Sequence, residues 1–141
     1  MASSNLNECL YDEVRDLFVV KTKEEVVRQR LLYRMIHSLG YPKELLGVEV
    51  ALSLFSLNKV PRRRLDIVCF KTKKDLEPLL IIECKRALSL QERAFGQAWG
   101  YNCFVQAEYV AVAHPEGEMV SYRTQEGLCY LAYLPPYKEM I

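Results

Sequence analysis

Apolar residues recur along the chain with two different periods. Between residues 22 and 39 they fall at Val26, Val27, Leu31, Leu32, Met35 and Ile36, a spacing near 3.6 that gathers them on one stripe of a helix. Ahead of that stripe, Thr22-Lys-Glu-Glu25 has capping-box spacing: the threonine hydroxyl can accept from a first-turn N–H while Glu25 reaches back. His37 in the last turn and Gly40 beyond it supply the stop. Ser89-Leu-Gln-Glu92 repeats the capping-box spacing and predicts a second helix to about residue 104.

The remaining apolar runs are short and rich in β-branched residues, the signature of strands. They are 16–20 (a first strand or an extended arm), 48–55 (VEVALSLF), 64–70 (RLDIVCF), 79–85 (LLIIECK), 109–113 (YVAVA) and 128–134 (LCYLAYL). Residues 58–61 and 115–118 read as turns, and 71–78 as a polar connection. Residues 1–11 are expected to fray, leaving 12–141 as a single domain. Hairpin-length links force antiparallel neighbours early, and the second helix permits a crossover later. The expected fold class is α/β: a mixed central β-sheet flanked by helices over 22–39 and 90–104.

Composition narrows the class. The chain has 141 residues, half of them apolar, and a formal net charge of +1, which suits one domain with a buried core. That balance excludes a disordered tail or a wholly polycationic surface. No apolar run reaches the roughly 20 residues of a membrane span. The first residues carry acids where a secretory signal carries basic and then apolar residues, so the expected location is the cytoplasm. Five scattered cysteines with no CxxC pair argue against a disulfide framework or a zinc site and for small buried hydrophobes.

The informative residues are charges where a core strand should have none. Asp66 lies inside RLDIVCF, and Glu83 and Lys85 close LLIIECK. Alternation along a strand puts Glu83 and Lys85 on one face and Cys84 on the other. A hairpin centred between Lys74 and Asp75 sets Asp66 opposite Glu83, where paired Cβ atoms stand about 4.5–5.5 Å apart. Two such carboxylates repel unless one is protonated or a hard divalent cation joins them. A neighbouring lysine and a cation together supply what phosphodiester hydrolysis needs: a Lewis acid, an activated water and positive charge against the developing anion.

In this order, KEEVVRQR, RRRLDIV, IIECK and QAWGYN resemble the PD-(D/E)XK nuclease superfamily. The resemblance is closer to the amino-terminal nuclease domain of type I restriction enzyme R (restriction) subunits, and it covers roughly residues 12–134. It implies a restriction-endonuclease-like fold and Mg²⁺-dependent hydrolysis of DNA, with Mn²⁺ as a substitute. It implies that Asp66 and Glu83, with the backbone carbonyl of Cys84, bind the metal and that Lys85 assists the attacking water. The family's Q-x-x-x-Y motif maps onto Gln97 and Tyr101, one helical turn apart. The acid of the family's first helix maps onto Glu25, followed by Arg28 and Gln29, and Arg64 matches a basic residue ahead of the aspartate. Arg62, Arg63 and Arg64 are expected on the DNA backbone, in a segment from 62 to 86 that carries eight basic and four acidic residues. Leu65 stands where the nominal motif has proline.

No G-x-x-x-x-G-K-[ST] phosphate loop is present, so a helicase motor or a modification subunit would act in trans. One site cuts one strand, so duplex cleavage implies a homodimer. Plainer readings stand beside these: a structural ion-pair group for Asp66, Glu83 and Lys85, packing for Gln97 and Tyr101, and the capping-box acid for Glu25. Glu49 reads either as a further metal-side acid or as an outward strand position, Trp99 as core, and 71–74 as a solvated loop. The competing function is a non-catalytic DNA-binding or partner-docking module that keeps the nuclease fold.

Overall fold

The computed structural model describes residues 8–141. Of the segment expected to fray, residues 1–7 lie outside the described residues. Cys9–Asp12 form strand β1, which pairs antiparallel with β2 (Leu17–Val20) in a hairpin. Helix α1 (Lys23–His37) follows, with Thr22 Oγ1 accepting from the Glu25 N–H at 3.0 Å. Gly40 takes φ +76°, a conformation open to glycine at little cost, and the chain turns there into Tyr41.

A six-stranded sheet carries the rest in the order β3-β4-β5-β6-β7-β8. These strands are β3 (Leu46–Ala51), β4 (Arg64–Phe70), β5 (Pro78–Cys84), β6 (Tyr109–His114), β7 (Gly117–Thr124) and β8 (Gly127–Leu131). Helix α2 (Gln91–Val105) crosses between β5 and β6, the one parallel pair in an otherwise antiparallel sheet. A short helix α3 (Tyr137–Met140) closes the chain. The result is the expected mixed α/β sheet flanked by helices, consistent with a restriction-endonuclease-like fold.

Alternation along the strands builds two cores. Ile67, Cys69, Leu80, Ile82 and Ala111 face Val27, Leu31, Leu32 and Met35 of α1. Val68, Phe70, Ile81 and Val110 face Ala98 and Val105 of α2. Each fully buried Val, Leu or Ile contributes roughly 1.5–3 kcal/mol, and every residue of β5 is buried. Trp99 is partly buried on α2: its indole N–H donates to Ser121 Oγ at 3.0 Å, and the Arg123 guanidinium lies 5.2 Å above its ring.

Several expectations are corrected. Strand β3 stops at Ala51 and Leu52–Phe55 form a 3-10 turn, so 48–55 is not one strand. Helix α2 begins at Gln91, one residue later than expected, but it follows a 3-10 turn at Leu88–Leu90 and has no side-chain cap, so the Ser89 capping box does not form. Gly117–Thr124 is a full strand that polar residues hide, and the closing strand ends at Leu131 rather than at 134. Only Cys69 and Cys84 are buried; Cys9 and Cys103 are exposed and all five are free. Among the described residues, no helix is long and apolar enough to cross a membrane.

Candidate active site

The hairpin register brings the charges together. Ile67 pairs with Ile82 and Val68 with Ile81, with an irregularity only near the turn at Cys69/Phe70. Continued outward by one residue, the same register sets Asp66 opposite Glu83. On the other side, Val48 pairs with Ile67 and Val50 with Leu65, which sets Glu49 opposite Asp66. Glu49, Asp66 and Glu83 thus form one row across β3, β4 and β5. Glu49 has φ +58° inside a strand, a left-handed conformation that costs a side-chain-bearing residue of order 1–3 kcal/mol.

Backbone amides lock two of these acids. The Cys84 N–H donates to Asp66 Oδ2 at 2.7 Å, and the Asp66 N–H donates to Glu83 Oε2 at 3.2 Å. The two strand ends are therefore stitched by the very carboxylates they carry. Burial raises the Glu83 carboxyl to about 8, and the charge of Asp66 adds to the rise. Burial raises Asp66 as well, against the opposing pull of the Cys84 N–H and of Arg28. The Lys85 charge favours the ionised form of both acids, and its backbone N–H donates to Ala113 O at 2.8 Å.

The centre of the site is held by Arg28. Its guanidinium donates through Nη2 and Nε to Glu25 at 2.5 and 2.9 Å, and through Nη1 to Glu49 at 2.6 Å and Asp66 at 3.3 Å. Burial disfavours the Arg28 charge, but the bonds to Glu25 and Glu49 outweigh it and hold the group more firmly protonated than usual. Gln29 Nε2 bridges Glu25 and Asp12 at 2.9 Å each. A small cavity of about 70 Å³ opens here, lined by Thr22, Glu24, Glu25, Arg28, Glu49, Asp66 and Cys84.

The sequence-predicted residues divide into three groups. Asp66, Glu83 and Cys84 come together through their hydrogen bonds, joined by Glu25, Arg28 and Gln29 from α1. Lys85 follows Cys84 in the chain, and its ammonium makes no salt bridge with either acid. The capping-box role of Glu25 is corrected: only the Thr22 half forms, because the Glu25 carboxylate is taken by Arg28 and Gln29. Arg28 is buried with its guanidinium turned to the acids rather than to solvent. On α2, Gln97 is exposed and Tyr101 half-buried. Burial raises the Tyr101 hydroxyl first and the Glu83 charge adds, while Gln97 and Arg63 act the other way; Tyr101 packs against the core that contains Ile81 of β5.

Arg62, Arg63 and Arg64 are exposed at the head of β4. Lys71 is not free, since it pairs with Glu77 at 3.2 Å and Glu108 at 3.4 Å. Asp12 is the residue that sequence reasoning missed. It is fully buried beside α1 and accepts from the Val14 and Arg15 N–H groups at 3.0 and 2.8 Å, from Arg15 Nε at 2.8 Å and from Gln29. The Asp12-Glu-Val-Arg15 turn is the signal that could have located it, because aspartate habitually caps its own next residues.

The acids supply only hard oxygen donors, which suit Mg²⁺ or Mn²⁺ in kind. Among the described residues, no three His, Cys, Asp or Glu side chains are gathered as a ready cation cage; Arg28 supplies the positive charge instead. No curated protein and no solved structure matches the chain. A family model described as the type I restriction enzyme R protein N terminus matches residues 23–131, from the first residue of α1 to the last of β8. With more than half its length so matched, and the row of acids inside the matched region, the chain belongs to the family of type I restriction enzyme R protein N termini.

Proposed function

We propose that this protein is a Mg²⁺-dependent nuclease that hydrolyses DNA phosphodiester bonds. The observation that carries the reading is the meeting of Asp66 and Glu83 at the joined ends of β4 and β5, with Lys85 next in line. Burial raises both carboxyls, with the Asp66 charge adding to the rise at Glu83 and the Glu49 charge at Asp66, and a cation accepted among them is an arrangement that removes the cost. Family membership supports the same direction.

Asp66, Glu83 and the Cys84 carbonyl would hold the divalent ion, with Glu25 and Glu49 close enough to order its surroundings. When bound, the ion supplies Lewis-acid activation of the phosphodiester and of the attacking water. Lys85 orients that water by hydrogen bonding and offsets negative charge as it develops on the phosphate. Water oxygen bonds to phosphorus, the bond to one ester oxygen breaks, and the departing oxygen takes up a proton. Gln97 and Tyr101 position the strand from α2, and Arg62, Arg63 and Arg64 hold its phosphates without reading sequence. A homodimer would place two such sites on a duplex.

Plasmid nicking with Mg²⁺ or Mn²⁺ tests the reading: the wild type nicks, while Asp66→Ala and Lys85→Ala do not. A wild type that neither binds a divalent ion nor nicks leaves the second reading, a DNA-binding or partner-docking module. The observation favouring that alternative is Arg28, whose guanidinium already pairs with Glu25, Glu49 and Asp66.

A further inference from the structure

A second cavity, of about 280 Å³, lies beside the acid site, between α1 and the turn joining β6 to β7. Its rim carries Lys23, Arg30, Arg34 and Arg86 against a single carboxylate, Glu118, which Arg34 pairs. Lys23, Arg30 and Arg34 are spaced by seven and four residues, which sets them on one stripe of α1. All four cations are exposed, and among the described residues Lys23, Arg30 and Arg86 have no acidic partner within salt-bridge distance. The floor is apolar, with Val26, Ala113 and Pro115.

The two cavities share their walls. Thr22 and Glu24 line the acid site while Lys23 lines the basic cleft. Cys84 lines the acid site and pairs in parallel register with Ala113 in the cleft floor. Arg86 in the rim follows Lys85 directly. Both openings therefore lie at the same end of the sheet, outside the carboxyl ends of the parallel pair, where open α/β sheets bind ligands. Arg62, Arg63 and Arg64 lead into Asp66 along β4, whereas the cleft adjoins the site through α1, β5 and β6.

We infer that this cleft holds the phosphodiester backbone of the DNA strand being cut, as a second cationic bank next to the acids. The inference rests on the nuclease reading above and adds where the strand runs. Lys23 and Arg30 on one stripe of α1, with Arg86 beside them, have no acid among the described residues to neutralise them and suit successive phosphates. An apolar floor suits the sugar faces between them. The arginines at 62–64 form one bank; Lys23, Arg30 and Arg86 form the other.

The test is fluorescence anisotropy of a labelled 20-base-pair duplex in EDTA, titrated with wild type and with the exposed triple variant Lys23→Gln/Arg30→Gln/Arg86→Gln across a salt series. The expected result is at least about 10-fold weaker binding at low salt, with a salt slope shallower by roughly 2–3, since each lost phosphate contact removes about 0.9. Circular dichroism and an unchanged Tm confirm that the variant folds. Wild-type binding that the triple variant leaves unaltered, in both Kd and slope, overturns the cleft alone. Failure of the wild type to bind duplex DNA even at low salt overturns the nuclease reading and the cleft with it. Inorganic phosphate that competes at the concentration of the oligonucleotide's own phosphates also overturns the inference, by making the cleft a free-anion pocket.

Discussion

Asp12 and Glu83 are both buried carboxylates, and the protein treats them in opposite ways. Asp12, the last residue of β1, receives two backbone N–H groups, the Arg15 side chain and Gln29. Burial alone would raise its pKa, but those bonds outweigh burial and hold it below the usual carboxylate value. Glu83, at the end of β5, receives one backbone N–H and faces the charge of Asp66, so burial and repulsion drive it up to about 8. A satisfied acid ties the β1–β2 hairpin to α1. Glu83 accepts one backbone hydrogen bond and, among the described residues, pairs with no cationic side chain. The contrast separates a carboxylate whose charge the fold satisfies from one whose charge it does not, although both are buried.

Four experiments break or sharpen that contrast, beginning with the largest effect. Lys85→Ala is expected to lower Mg²⁺-dependent nicking by about 10³-fold, whereas Asp12→Ala acts on activity only as far as it unfolds the protein; steady-state nicking beside thermal denaturation separates the two. Arg28→Met leaves Glu25, Glu49 and Asp66 without their shared cation and should cost about 3 kcal/mol in urea unfolding. Millimolar Mn²⁺ should restore part of that loss, and a variant whose stability ignores Mn²⁺ would refute the idea that Arg28 stands where a divalent ion can.

Asp12→Ala orphans several buried donors and should cost about 2 kcal/mol. Because the Asp12 pKa is depressed in the fold, its contribution is present at neutral pH and lost as pH falls through and below about 3.8. Glu83→Gln should instead stabilise the metal-free protein, by about 1 kcal/mol or roughly 3–4 °C in Tm at pH 8. The folded Glu83 keeps a proton that the unfolded chain releases, so wild-type stability declines as pH rises from about 4.5 to about 8. The Gln variant should lack that decline, and an unaltered pH profile would place the cost elsewhere.

Much of this was legible in the residues. The hairpin of β4 and β5 was readable because both strands are unbroken apolar runs around a polar turn, so their register follows from symmetry to within the bulge at Cys69/Phe70. Asp66, Glu83 and Lys85 were visible because they interrupt those runs. Strand β7 was not, because half of GEMVSYRT faces solvent or the turn and its polar residues imitate a loop. The partners of Arg28 were also hidden: local spacing places it near Glu25, but the bonds to Glu49 and Asp66 span 21 and 38 residues and exist only after the sheet has formed. Glu25 marks a different limit: its capping role lost to Arg28 and Gln29, three and four residues away on the same helix, and spacing alone does not rank two local partners.

Trp99 is the chain's single tryptophan, and it points from the side of α2 away from Gln97 and Tyr101 onto Ser121 of β7, with Arg123 above its ring. Its emission is therefore a built-in optical gauge. Any ligand that reseats α2 through Gln97 or Tyr101 changes the polarity and quenching around one fluorophore, and reports its own arrival without a label.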